Sequence, residues 1–227
     1  MTGAVRQREP LNLPQVDDNS CLSCVTANVL YASGLTDTPD LRWVDRELGR
    51  EPGTGAQRVR ARGLLLRHGL SLHVVGAYQP ARFLQEGLAY LRRYYRQEWD
   101  HAWEQYWTPP RLEQHRRECL AACELSTFGA RMRTEHRQPT LADIHDALDR
   151  GRLVWVSLDN DGGGVDCHAV LIYGQRGRVF DVYSPEVSGS CLQRYSRRRL
   201  SRRWLRSEGI TVMWRGEPRS GALGRHR

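Results

Sequence analysis

The side chains of this sequence best suited to nucleophilic or metal chemistry are six cysteines and eight histidines, and two of the cysteines have a distinctive setting. In "QVDDNSCLSC", residues 15–24, Gln15 precedes Cys21 and Cys24 follows it one helical turn later. Three chemistries could use such a stretch. A thioredoxin-type redox pair calls for a strand before the CxxC and a βαβ pattern after it, whereas a proline-bearing coil precedes this one. A zinc site built from Cys21, Cys24, Cys119 and Cys123 would need a connection far longer than zinc-ribbon spacings. Cys167 and His168 are neighbours on a predicted strand and point to opposite faces, so they do not readily share a metal. The third chemistry is a thiol nucleophile, and the local pattern suits it. Leu22, Val25, Val29 and Leu30 recur at helical spacing, Gly34 closes the run, and Ser20 or Asn19 can cap its start. Cys21 then falls in the first turn, where free N–H groups and the helix dipole favour a thiolate. Cys24 reads as a packing residue.

A thiol nucleophile needs a base from elsewhere in the fold. His168 opens the apolar run "CHAVLIYG" roughly 150 positions downstream, close to the separation seen between cysteine and histidine in papain-type enzymes. The Gln15 amide is placed to donate to an oxyanion beside the N–H of Cys21. These assignments call for no metal and no cofactor.

The elements that would position these groups follow from periodicity and punctuation. Short helices are predicted over 36–49, with Pro39 at the first position, and over 54–67. "LSLHVV" (70–75) alternates as a strand. Residues 80–125 read as a long aromatic helix restarted at Pro109–Pro110, with Trp99, Trp103, Tyr106 and Trp107 forming a stripe. Such a stripe is either core or the wall of a substrate groove, which would make Trp103 and Trp107 substrate-binding. "TLADIHDALDRG" is a capped helix. "RLVWVSLD" (152–159), 167–174, "RGRVFDVYSP" (176–185) and 209–215 are strands, with the glycine turn 161–164 between the first two. Asp159, Asn160, Asp161 and Asp166 around that turn fit no cation loop. The order, helices first and an antiparallel sheet after, is an α+β plan: one domain over 1–215 with a helical insertion at 80–135, and a flexible basic tail at 216–227.

In this order the segments carry a resemblance. Gln15 with "NSCLSCVTANVLYASG", then "TLADIHDALDRGRLVWVSLD", "CHAVLIYG" and "RVFDVYSP", resemble the papain-like cysteine peptidase fold, and within it the bacteriocin-leader-processing family and its acyltransferase relatives. The resemblance covers about 15–75 and 140–190. It implies a papain-like fold with Cys21 as nucleophile, His168 as base and Gln15 at the oxyanion. Two departures stand out. Leu22 follows the cysteine where the family has glycine. The family's aspartate before proline falls on Ser184, which can accept from the imidazole but supplies no charge. Asp181 lies three residues earlier, where strand alternation would turn it to the opposite face unless a bulge intervenes. So Asp181 is recruited, or Ser184 acts alone, or the site is degenerate.

The resulting expectation is an acyl-thioester enzyme: a peptidase or amidase if water is the acceptor, an acyl or peptidyl transferase if an amine is. Its substrate would be a peptide or a carrier-linked acyl group. The alternative is a catalytically degenerate papain-like module that binds a partner through the aromatic insertion and arginine clusters. Net charge is +8 and every one of the 34 Lys/Arg residues is arginine. That bias reflects base composition as much as function. The clusters at 197–206 and in the tail would suit an acidic carrier protein, and nucleic acid is the less favoured partner. With a mean hydropathy of −0.62, no apolar run long enough to span a bilayer and no signal-peptide core at the N-terminus, the expected location is the cytoplasm.

Overall fold

The computed structural model describes residues 7–96, 101–159, 167–186 and 189–215, with only the backbone at 101–103. Three features read from the sequence therefore lie outside the described residues: the glycine turn with Asn160, Asp161 and Asp166, the basic tail, and the side chains of Trp99 and Trp103. No helix of the described residues is long and apolar enough to cross a membrane.

Helices α1 (Cys21–Ala32), α2 (Leu41–Leu48) and α3 (Arg58–Arg67) come first, followed by strand β1 (Leu70–Val75). Helices α4 (Pro80–Glu86), α5 (Leu88–Tyr94), α6 (His101–Tyr106) and α7 (Pro109–Glu124) and a 3-10 turn then lead to β2 (Met132–Glu135). The remainder is α8 (Leu141–Asp149), β3 (Leu153–Asp159), β4 (Cys167–Arg176), β5 (Val179–Tyr183), β6 (Leu192–Ser196), α9 (Arg197–Arg203), a 3-10 turn Arg206–Glu208 and β7 (Ile210–Arg215). The strands form one sheet in the order β2-β1-β7-β3-β4-β5-β6. All neighbours are antiparallel except β1 and β2. The architecture is α+β.

Alternation along the central strands sends side chains to two cores. Leu153, Trp155, Ala169, Leu171 and Tyr183 face α1 and α3. Val154, Val156, Leu158, Val170, Ile172 and Val182 face the other way, against Ile144 and Ala147 of α8 and Leu200 of α9. Apolar burial on this scale contributes about 25 cal/mol per Å² removed from water, and it makes β3 and β4 a rigid floor. Helix α1 is buried nearly all round, ten of its twelve residues being inaccessible. Its place is fixed by packing, not by its cap. The Ser20 hydroxyl does not cap the helix, as the sequence suggested; it accepts from Val16 and Asp17 N–H and donates to the Asp17 carbonyl, closing the turn in front of it.

The predicted helix over 36–49 begins later, at Leu41, capped by the Asp40 carboxylate on the Trp43 N–H. α8 has the predicted capping Thr140, completed as a capping box by Asp143. The long aromatic helix is interrupted at Gly87, whose φ of 58° with ψ of −134° is outside the helical region. The segment between β1 and β2 has a small core of its own, with Phe83, Tyr90, Leu91 and Cys119 buried and Tyr78, Tyr94 and Trp107 against them. It ends in β2, which rejoins the sheet beside β1.

Candidate active site

The cysteine is delivered by the segment that precedes α1. Asn28, fully buried in the middle of α1, binds the Leu11 backbone on both sides: its Oδ1 accepts from Leu11 N–H at 2.8 Å and its Nδ2 donates to Leu11 O at 3.3 Å. The same segment is bonded to the far end of the sheet. Tyr183 Oη donates to Leu13 O at 2.6 Å, Cys191 N–H donates to Asn12 Oδ1 at 2.7 Å, and Gln15 N–H donates to Glu186 O at 3.1 Å. Residues 11–15 thus stitch α1 to the exit of β5. Arg50 holds the next turn. Its guanidinium, 3% exposed, pairs with Asp45 at 2.7 Å and with Asp17 at 2.9 Å. Burial works the other way, but Arg50 and the N–H groups of Asn19 and Gly53 keep the Asp17 carboxyl below the usual carboxylate range.

Cys21 is a free thiol, half-buried at the start of α1. Its sulfur is 3.5 Å from the Ala169 N–H, which donates to it. The sheet explains why that N–H is available. Ser157 stands opposite Ala169, and its carbonyl accepts from Leu205, on the side away from β4. Ser157 and Ala169 are therefore a non-hydrogen-bonded pair, and the Ala169 N–H points toward β5. The β4–β5 register ends with Leu171 opposite Tyr183. Beyond that the chain turns away through Pro185, and the sulfur takes the place a carbonyl would hold.

His168, the residue before Ala169, projects from the opposite face of β4 and is buried. Its Nε2 lies 3.1 Å from Ser184 Oγ. Ser184 Oγ in turn lies 3.0 Å from Glu186 Oε1, and that oxygen is 4.0 Å from His168 Nε2. Glu186 was not among the residues singled out from the sequence. The signal was present in "SPE", an acid two positions past the serine. Among the described residues no hydrogen bond joins the Cys21 sulfur directly to the imidazole; the sulfur is anchored to the backbone one residue along.

The electrostatics reverse one expectation. A thiol in the first turn of a helix should ionise easily, but burial dominates and pushes the Cys21 thiol up, with the Cys167 thiol adding to it and the N–H groups of Ala169 and Leu22 and Arg58 pulling only partly back. Burial pushes His168 down, Glu186 opposes that and Arg203 adds to it. Both shifts favour the neutral forms, thiol and imidazole, over the ion pair. Cys24 is fully buried, its thiol raised to about 12 by burial and set against Pro14 O.

The other residues singled out lie elsewhere. Asp181 is opposite Gly174, its carboxylate beside Arg176 at 3.4 Å and Arg194 at 3.6 Å. A Cβ at position 174 would come within 3.1 Å of that carboxylate, so the glycine leaves room for it. β4 and β5 do slip register between Ile172 and Gly174, yet Asp181 faces the two arginines and Ser184 faces the histidine. Gln15 is buried, with its amide donating to Asp17 O at 3.1 Å. Trp107 packs 5.1 Å from the His115 ring in the core between β1 and β2. Among the described residues no group of three or more His, Cys, Asp or Glu is placed to hold a metal ion.

No family model and no curated protein matches this sequence. Two of the solved structures similar to this chain are as follows. One is the peptidase domain of Streptococcus ComA, a bifunctional ABC transporter involved in quorum sensing, at 10% identity over 90% of this chain and 97% of that one, with a TM-score of 0.46. The other is a double-glycine motif protease from an AMS/PCAT transporter in complex with its leader peptide, at 12% identity over 92% of each chain, with a TM-score of 0.45.

Proposed function

We propose that this chain is a cysteine-nucleophile enzyme of acyl transfer, acting on a peptide or similar amide. The observation that carries this reading is that neighbouring residues of β4 engage the two groups: the Ala169 N–H donates to the Cys21 sulfur, and the His168 ring, one residue earlier, is held through Nε2 by Ser184. With Nε2 occupied, Nδ1 is the nitrogen left to accept the thiol proton. The sulfur attacks the acyl carbon as its proton passes to His168 Nδ1, and the same proton leaves with the departing amine. An acyl-thioester on Cys21 remains. Water then makes the chain a peptidase or amidase; an amine acceptor or carrier-linked donor makes it a transferase. Gln15 would serve the oxyanion by exchanging the Asp17 carbonyl for the substrate oxygen.

The experiment is labelling with an electrophilic peptidyl-acyl probe, with the modified residue located by mass spectrometry. Label is expected on Cys21, abolished in Cys21→Ala and slowed about a hundredfold in His168→Ala, the usual scale of general-base catalysis. Equal labelling of Cys21→Ala would end the nucleophile assignment. Absence of label from the wild type would favour the alternative, a binding module on the same fold, for which the anchored and raised thiol is the supporting observation.

A further inference from the structure

We propose that Glu186 is the positioning carboxylate of this site and acts on His168 through the hydroxyl of Ser184; this rests on the reading of Cys21 and His168 given above. A serine beside an imidazole leaves the direction of their hydrogen bond open. It can accept from Nε2–H, or it can donate to a bare Nε2. Only the first leaves Nδ1 unprotonated and able to take a proton from Cys21. Glu186 decides between them. A carboxylate only accepts, so at 3.0 Å from Oε1 the Ser184 O–H must donate to Glu186, and the serine oxygen is then an acceptor for Nε2–H at 3.1 Å. When Cys21 passes its proton to Nδ1, the imidazolium faces the Glu186 carboxylate, whose Oε1 is 4.0 Å from Nε2. Serine thus fixes the ring and glutamate supplies the charge, two roles that a single aspartate would combine.

The backbone holds Glu186 in register for this task. Its carbonyl accepts from Gln15 N–H at 3.1 Å, and Ser184 N–H donates to Cys191 O at 2.7 Å. Glu186 is thereby tied to the segment that leads into Cys21, although its side chain stays 44% exposed. The other charged group acting on the ring is Arg203 from α9, which opposes a positive imidazole. Asp181 is turned to Arg176 and Arg194 and does not compete for the role.

The test is site-resolved alkylation of the full chain by iodoacetamide from pH 5.5 to 8.5. Cys123, which is exposed, serves as a reagent control, and Cys24, which is buried, as a folding control. In Glu186→Gln and in Ser184→Ala, Cys21 should react about tenfold more slowly near neutral pH, the scale of one lost charge partner. The inflection due to His168 should move to lower pH. Ser184→Asp placed in the Glu186→Gln background should restore most of the rate, because it returns a carboxylate directly to Nε2. If Glu186→Gln superimposes on wild type while His168→Gln is slowed, Glu186 has no such role and the nucleophile reading stands. If His168→Gln also superimposes on wild type, both fail. Slowing accompanied by newly reactive Cys24 would mean that Glu186 serves the fold, and would overturn the proposal.

Discussion

The two arms of the site are built on different physical terms. The cysteine arm is a packed object: α1 is buried on almost every side, Asn28 is sealed within it, and Arg50 locks the preceding turn with two carboxylates. The histidine arm combines an apolar strand with a short polar chain, His168 to Ser184 to Glu186, whose last member is partly solvated. Position is set on one arm and protonation on the other. Mutations in the first should therefore cost stability and reactivity together, and mutations in the second should cost reactivity with little change in stability.

The largest stability loss should come from Arg50→Ala. Removing one partner of a buried ion pair costs roughly 3–5 kcal/mol, and because Asp17 and Asp45 keep some access to water the loss here should be near the lower figure, about 3 kcal/mol. Urea denaturation measures it, and a loss below about 0.5 kcal/mol would class this pair with ordinary surface ion pairs. Next is Asn28→Ala, which leaves the Leu11 N–H and carbonyl without their buried partner. About 2 kcal/mol is expected, with slower labelling of Cys21 because residues 11–15 also carry the link to Glu186. Retained stability with unchanged labelling would show that α1 is placed without the stitch.

The smallest effect is a pH dependence. Burial lowers His168 from its ordinary value of 6.5, so between the folded value and 6.5 the unfolded chain binds more protons. The contribution of neutral His168 is complete above 6.5 and is lost as pH falls through that window. Wild-type stability should therefore rise with pH there, and His168→Gln should reduce that slope, leaving the part due to His73, which burial also lowers. Asp143, held down to about 2 chiefly by Arg137, contributes in a separate window and loses its contribution as pH falls from 3.8. Stability curves of His168→Gln and Asp143→Asn that changed in the same window would contradict this division.

Strong local patterns made much of the fold legible from sequence. β1 stands at 70–75 as its alternation indicates, and β3 and β4 read as apolar runs because both their faces are buried. Two strands left no such trace. β2, "MRTE", lies at one edge of the sheet with every residue at least partly exposed, and β6, "LQRYS", lies at the other with Tyr195 alone fully buried. Their pairing comes from the neighbouring strand and not from their own composition. The arginine cluster at 197–206 is in part a helix, with Leu200 buried and Arg199 over the Tyr195 ring. Within the candidate site, spacing pointed to Cys21 and His168, and the family resemblance to Ser184, because each occupies a regular element or its end. Glu186 follows Pro185, past the last β4–β5 pair, and only the three-dimensional turn brings it back to the serine. The state of the thiol is hidden from sequence for a similar reason: the helix start is visible there, whereas the desolvation that outweighs it is not.

The contact between the Cys21 sulfur and the Ala169 amide gives the molecule its own reporter. An amide proton shared with sulfur resonates according to the charge and substitution of that sulfur. The single Ala169 cross-peak should shift on deprotonation, acylation and release of Cys21, so a nitrogen-15 label at this alanine would follow each chemical state of the cysteine without an assay for the substrate.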